Sequence, residues 1–444
     1  MVMIESIETT LEMWATSLRE VKSRIRHLFH QERLAISAGL FLEGLLLDEQ
    51  RKTGVMSVEA AGDPGPWRLQ AILGRAKWDA DALRDIVRKY ALETLADNEA
   101  VLVIDETGFI KQGNTSCGVA RQVDGSTGRM ANCQIGLFAG YASRHGHAFL
   151  DRALYLPKAW IDDPTRLARA YVPTGTTFAT KSRLALSMIA RNVAANVPLS
   201  WVAADRIYAS VDIEMALRRW CKGYVLAVSA NHHFASQNGE LPAEGAAEDI
   251  AGNLDPSLWR NFDPGEGLED SGSQQWAYYR FSDLDVAEYD RTRSGLWTPG
   301  LLIRRDANQA LSYFSTWSPA GTEIATLIAV QQCCGIIEEG LRTAKKELGL
   351  DHNITRSWHG WHRHVSLVML AFAMMSTVRH KASHERDETV GRLTLTSRRF
   401  ERLPGSSTKP KPGSLGAAAT VARQDQSGEY RRKPFQRNLP TEKQ

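Results

Sequence analysis

Cysteine is scarce in this sequence. The five present, Cys117, Cys133, Cys221, Cys333 and Cys334, are odd in number and show no C-x-x-C spacing. That pattern excludes a disulfide framework and a cysteine zinc ribbon, and it fits a reduced, cytoplasmic protein. No HExxH accompanies His352, His359, His362 and His364, so these histidines have no partners for a zinc site. A secretory leader is lacking, because Met1 to Glu12 is acidic and has no uninterrupted apolar core. Long apolar runs are also missing: Val365 to Met375 is too short to span a bilayer and suits a buried helix, so no membrane is expected as a partner. Charge of one sign is not in excess. With 54 basic and 51 acidic residues the net charge is +3, too small to mark a nucleic-acid binder by itself.

The distribution of charge says more than its total. From Arg379 to the end fifteen Lys and Arg face seven Asp and Glu, a surplus of eight that leaves residues 1–378 at −5. Beyond about Glu385, Gly405-Ser406-Ser407, Lys409-Pro410-Lys411-Pro412 and a run of alanines leave too few apolar residues for a core, which reads as a basic, disordered tail. Before residue 99 the pattern is helical, with Leu34, Leu40, Leu42, Leu45 and Leu46, a break at Pro64-Gly65-Pro66, and Leu69, Ile72, Leu73, Trp78, Leu83 and Ile86. Arg68, Arg75, Lys77, Arg84, Arg88 and Lys89 ride along the second stretch. Helix, turn and basic helix are compatible with a helix-turn-helix in a major groove, and equally with a packing domain whose charges are solvated.

Two short apolar runs each lead into an aspartate. Val101-Leu102-Val103-Ile104 reads as a strand buried on both faces with Asp105 at its carboxyl end, and Trp201-Val202-Ala203-Ala204 leads in the same way into Asp205. A charge at the end of a buried strand must be offset by a metal, a cation or hydrogen bonds; an aspartate that caps the next helix is the plainer explanation. The third acid comes from helical phase. Ile337, Leu341, Ala344 and Leu348 define one buried stripe, Glu338, Arg342 and Lys345 lie along its edge, and Glu339 points the other way toward Thr343 or Lys346.

The order of elements narrows the fold. After the Asp105 strand come alternating segments at 134–143 and 147–156 joined by Arg144-His145-Gly146, a helix at 181–195, the Asp205 strand, a helix at 211–222, a strand at 224–230 and finally the Glu338 helix. This succession is that of a ribonuclease-H-like α/β domain, an arrangement that would gather Asp105, Asp205 and Glu338 at one edge. The expected class is therefore α/β, with a helical N-terminal domain and a β-rich insertion where Gly300 to Arg305 and Ala310 to Trp317 read as strands.

At this point the chain resembles a DDE transposase of a bacterial insertion sequence, in the branch with a Tyr-Arg-Glu-Lys signature. The resemblance is carried by VIDETGF at 103–109, GVARQVDGSTGRMANCQIGLF at 118–138, DRALYLPKAW at 151–160, AADRIY at 203–208, IEEGLRTAKKELGLD at 337–351 and RSWHGWHRH at 356–364. Matched by position, it implies that Asp105, Asp205 and Glu338 are the catalytic, metal-binding triad and that Lys345 is the signature lysine. Where the signature has tyrosine and arginine, seven and four residues before the glutamate, this chain has Gln331 and Cys334. The arginine helps hold the DNA end in such enzymes.

The resemblance also implies two Mg2+ ions, replaceable by Mn2+, and double-stranded DNA as partner: the element's terminal inverted repeats and a target. A homodimer is expected in the DNA complex. DNA contacts are expected from Lys345, Arg342, His362 and Arg363, with Trp297 or Trp276 of the insertion stacking on a flipped base. The corresponding division is 1–98, helical and end-binding; 99–234, first catalytic part; 235–325, β-rich insertion; 326–384, last catalytic helices; and 385–444, basic tail. The competing readings are an impaired relic that binds ends without cutting and another ribonuclease-H-like nuclease.

Overall fold

Residues 2–47, 67–124, 128–234, 245–262, 274–281 and 297–390 are described by the structure, a computed structural model. Pro64-Gly65-Pro66 and everything after residue 390, hence most of the basic tail, lie outside the described residues.

Among the described residues four α-helices come first: α1 (Val2–Ile25), α2 (Glu32–Leu46), α3 (Trp67–Gly74) and α4 (Ala80–Leu95). The start of α4 is fixed by Asp79, whose side chain accepts from the Asp81 amide at 2.7 Å, satisfying one of the open N–H groups of the first turn. Leu83, Val87, Tyr90, Ala91 and Leu95 recur at helical spacing and are buried.

The central sheet begins with β1 (Val101–Ile110), β2 (Ala120–Val123), β3 (Met130–Ser143) and β4 (Gly146–Leu154). Two short helices, α5 (Lys158–Ile161) and α6 (Pro164–Arg169), lead to α7 (Lys181–Ala194), β5 (Trp201–Ala204), α8 (Val211–Arg219) and β6 (Gly223–Val228). The hairpin of β3 and β4 turns at Arg144 and His145, as the sequence pattern implies. β1 differs from its expectation. Asp105 does not end the strand, because β3 is long enough to pair with it through Ile110, whereas the parallel pairing with β5 stops at Ile104↔Ala204.

The segment after β6 extends the same sheet. A two-stranded ribbon of β7 (His233–Phe234) and β8 (Gly245–Ala246) precedes α9 (Ala247–Gly252); then come β9 (Arg260–Phe262), β10 (Gln274–Arg280), β11 (Trp297–Arg305) and β12 (Leu311–Pro319). The main path runs β2-β3-β1-β5-β6-β12-β11-β10-β9, with β4 also on β3. β12 pairs antiparallel with β6, so the β-rich segment is continuous with the sheet that carries the aspartates.

Two long helices follow, α10 (Ile324–Leu348) and α11 (Trp358–Val390). α10 ends where Gly349 adopts φ 64°, a left-handed turn that glycine takes without a Cβ penalty. It packs on β1, β3 and β5. Among the described residues α10 is the one helix long and apolar enough to cross a bilayer, yet Ile337, Leu341, Ala344 and Leu348 are buried against the sheet. α11 is apolar all round from Val365 to Met374 and correspondingly buried, with α1 to α4 packed on it. One core joins these helices to the sheet.

Candidate active site

Parallel pairing brings two of the acids side by side. The register Val101↔Trp201 to Ile104↔Ala204 sets Asp105 and Asp205 at equivalent positions, one residue beyond the last paired rung of adjacent strands. All four residues before each aspartate are buried, so both strand ends are held by the core. Alternation along β1 sends the Asp105 side chain toward α10 and the Glu106 side chain toward α7.

The helix that brings the third acid is seated by a close approach. Ile337 lies against Gly140 of β3, where a Cβ would come within 2.6 Å of the isoleucine side chain. Only glycine permits this contact, which lowers α10 onto the sheet and brings the charge of Glu338 within reach of Asp105. Lys345 fixes the other end of the stripe: its Nζ donates to the Gly108 carbonyl at 2.9 Å, three residues past Asp105. It is a tether between helix and strand, and half-buried.

The electrostatics show that the acids share one region. Asp105 has its carboxyl pushed up to about 7, first by burial and then by the negative charges of Glu338, Glu106 and Asp205, against the lowering effect of the Glu106 amide that it accepts from at 2.7 Å. Among the described residues no lysine or arginine forms an ion pair with Asp105. The Cys334 thiol, one turn before Glu338, is pushed up by its burial and then by Cys333, Asp105, Asp205 and Glu338. It thus stands in the field of all three acids.

Glu338 itself is exposed and accepts from Arg342 Nη2 at 3.2 Å, while Arg342 also pairs with Glu339. Glu339 therefore finds Arg342 as its partner; Lys346 sits beside Glu347 at 4.0 Å instead. Among the described residues no group of three or more His, Cys, Asp and Glu side chains is arranged closely enough to hold a metal ion as placed. An exposed ion pair such as Glu338 with Arg342 is worth about 0–1 kcal/mol, so it opposes rearrangement of the glutamate only weakly.

Other residues singled out from the sequence occupy different surroundings. His362 and Arg363 are buried: His362 Nδ1 lies 2.9 Å from the Trp358 carbonyl, and Arg363 donates to the Leu73 and Trp78 carbonyls at 3.0 and 3.1 Å. Arg363 thus joins α11 to α3 and to the segment just before α4, and neither residue lines an open edge. Trp276 is 1% exposed and stacks on Phe314, a core placement, whereas Trp297 is half-buried and stacks parallel to Trp317. In the basic row, Arg75 and Lys77 are exposed, while Arg84 and Arg88 both pair with Asp85 at 2.9 Å.

Sequence reasoning passed over Glu106, Lys181 and Tyr208, which meet directly behind Asp105. Lys181 Nζ donates to Glu106 Oε1 at 2.5 Å and the Tyr208 hydroxyl donates to Oε2 at 2.9 Å. The available signal was the pair of adjacent acids in VIDETGF: strand alternation must put one of them on the opposite face. Also passed over was the role of Asp151 and Arg152. Asp151, fully buried, accepts from Arg191 Nε at 2.8 Å, and Arg152 donates to Asp81, Ser366 and the Ala80 carbonyl.

A family profile described as DDE superfamily endonuclease matches residues 26–249, half of the chain and a span that includes Asp105 and Asp205. The chain is also similar, at 25% identity over 193 residues, to a protein of Microchaete diplosiphon named as a probable transposase for insertion sequence element IS701. That similarity covers 43% of this chain and 48% of the relative, so it spans about half of the relative's length. By the extent of the family match, the chain belongs to the DDE superfamily endonuclease family.

Proposed function

We propose that this protein is an insertion-sequence transposase that cuts phosphodiester bonds at the ends of its element and transfers them to target DNA, with Asp105, Asp205 and Glu338 as its catalytic, cation-binding acids. The observation that carries this reading is the matched position of the two aspartates on adjacent parallel strands beneath Glu338, with no basic side chain paired to Asp105 among the described residues. The fold name that fits best is ribonuclease-H-like.

The donor set suits a hard divalent cation. Carboxylate oxygens are the usual protein ligands of Mg2+, which keeps waters and takes substrate phosphate oxygens for the rest of its shell; Mn2+ accepts the same ligands. Two such ions, when bound, would polarise the scissile phosphate and assist both the attacking and the departing oxygen. Asp105 is positioned by the middle of the sheet and is the least adjustable of the three. Glu338 is the adjustable one, because it must exchange Arg342 for the cation. Arg342, once released, is free to meet a DNA phosphate alongside the α10 surface.

Double-stranded DNA is the partner this chemistry requires, first as terminal inverted repeats and then as target, in a complex that we read as a homodimer. The helices before residue 99 are assigned to end binding, and exposed Arg75 and Lys77 are their available cations. Of the two tryptophans, half-buried Trp297 is better placed than Trp276 to stack on an extruded base. A soluble DNA-acting protein of this kind works in the bacterial cytoplasm.

Cys334 favours a second reading. A half-buried thiol stands where the signature has an arginine, which supports a protein that binds ends without cutting them. Purified protein tested on DNA carrying the repeats that flank the gene separates the two. The favoured reading expects Mg2+-dependent cleavage that stops in chelator and in Asp105→Asn, Asp205→Asn and Glu338→Gln, with DNA binding retained; the loss should be on the order of 10^3-fold or more, as for removal of a principal charge-stabilising group. Tight, specific end binding with no cleavage by the wild type supports the second reading.

A further inference from the structure

We propose that Glu106 is the positioning residue of this site: from the face of β1 opposite Asp105, it ties the segment that follows Asp205 to the strand that carries Asp105, and so sets the spacing of the two aspartates. The proposal rests on the reading of those aspartates as cation ligands.

Asp205 needs such a tie because the sheet releases it. β5 has four residues, and its pairings with β1 and with β6 both end at Ala204. Asp205 then begins the 3-10 turn Arg206–Tyr208, yet its own carboxylate makes no capping hydrogen bond to that turn. The position of Asp205 is therefore governed by what anchors the turn. Two contacts do so: Tyr208, fully buried, donates to Glu106 Oε2 at 2.9 Å, and Ser182 at the start of α7 donates to the Ile207 carbonyl at 2.9 Å.

Lys181 completes the junction. It is the first residue of α7, where a cation meets the positive end of the helix dipole and is unfavourable by itself. The Glu106 carboxylate, 8% exposed, offsets both that charge and its own burial by taking Lys181 on one oxygen and Tyr208 on the other. Both oxygens are thus committed on the α7 side of the sheet. Glu106 acts on the cation site through Asp105 and Asp205 and is not itself a ligand.

The test measures Mn2+ binding to the full-length protein by titration calorimetry, together with its melting temperature and Mn2+-dependent nicking, for wild type, Tyr208→Phe, Glu106→Gln and the double variant. A loosened spacing should raise the Mn2+ concentration for half-saturation about 10-fold in each single variant, as for other partners behind a ligand. The double variant should show no further rise, and nicking should recover as Mn2+ approaches saturation. A merely structural role would lower the melting temperature in all conditions without moving the half-saturation point. An unmoved half-saturation point in Tyr208→Phe, beside a normal wild-type response, overturns the proposal. So does loss of the cation response in Glu106→Gln while Tyr208→Phe keeps it, because Glu106 would then be a ligand. A wild type that does not respond to Mn2+ at all overturns the cation-site reading and the proposal with it, a pattern distinct from the other two.

Discussion

Two acids on neighbouring parts of the sheet, one fully buried and one half-buried, are treated in opposite ways. Asp151, on β4, is surrounded by protein partners: Arg191 at 2.8 Å, Arg84 at 4.0 Å and the Arg152 amide at 2.8 Å. Asp105, on β1, has among the described residues only a backbone amide on its carboxylate, and the charges of Glu338, Glu106 and Asp205 act against its ionisation. A carboxylate whose charge is balanced within the chain holds elements together; here α4, β4 and α7 meet on Asp151. One left unbalanced destabilises the fold unless something else supplies the positive charge. The second arrangement is the one expected of the cation ligand proposed for Asp105.

The comparison predicts opposite consequences for the same chemical change. Asp151→Asn should destabilise the protein by about 3–5 kcal/mol, the range for breaking a buried ion pair and leaving its partner uncompensated. Denaturant unfolding of the variant checks this, and a loss below about 1 kcal/mol would mean that the network is held by packing and not by charge.

Acid should weaken the helical side of the molecule. Burial holds His147 and His364 down to about 4, and His362 is held down for the same first reason. Their folded values lie below the unfolded one near 6.5, so the stability of the neutral rings is complete above that pH and is lost as pH falls toward 4. At about 1.4 kcal/mol per pH unit, His147 and His364 contribute at most about 3.5 kcal/mol each, and His362, held down to about 3, at most about 5. A stability that stays level between pH 7 and pH 4.5 would contradict this.

A smaller effect should come from the seat of α10. Gly140→Ala forces its methyl group into Ile337 and should cost about 1–3 kcal/mol, as overpacking does. Cleavage should suffer more than stability, because the helix that lifts is the one carrying Glu338. Equal losses in both would show that the close approach serves packing alone.

Much of this was legible in the sequence, and the remainder was hidden for identifiable reasons. The apolar runs before Asp105 and Asp205, the Arg144-His145-Gly146 turn and the Ile337 stripe each carry their own local pattern. β1 looked shorter than it is, because Glu106-Thr107-Gly108 resembles a turn and only pairing with distant β3 keeps it extended. His362 and Arg363 looked available for phosphate, but both are buried, and the carbonyls that Arg363 meets lie on α3 and just before α4, 290 and 285 residues away along the chain. The continuity of β11 and β12 with β6 is likewise a non-local pairing. The same holds for the Glu106 junction, whose members stand at 106, 181 and 208.

The central claim, that Asp105 is held at a cost until a cation offsets it, is tested most directly by unfolding wild type and Asp105→Asn at pH 8 with and without Mn2+. Without the cation, Asp105→Asn should be the more stable protein, by at most about 4 kcal/mol for a carboxyl moved from 3.8 to about 7. Mn2+ should stabilise the wild type and leave the variant unchanged. A variant that is no more stable than wild type, and that Mn2+ still stabilises, would contradict the claim.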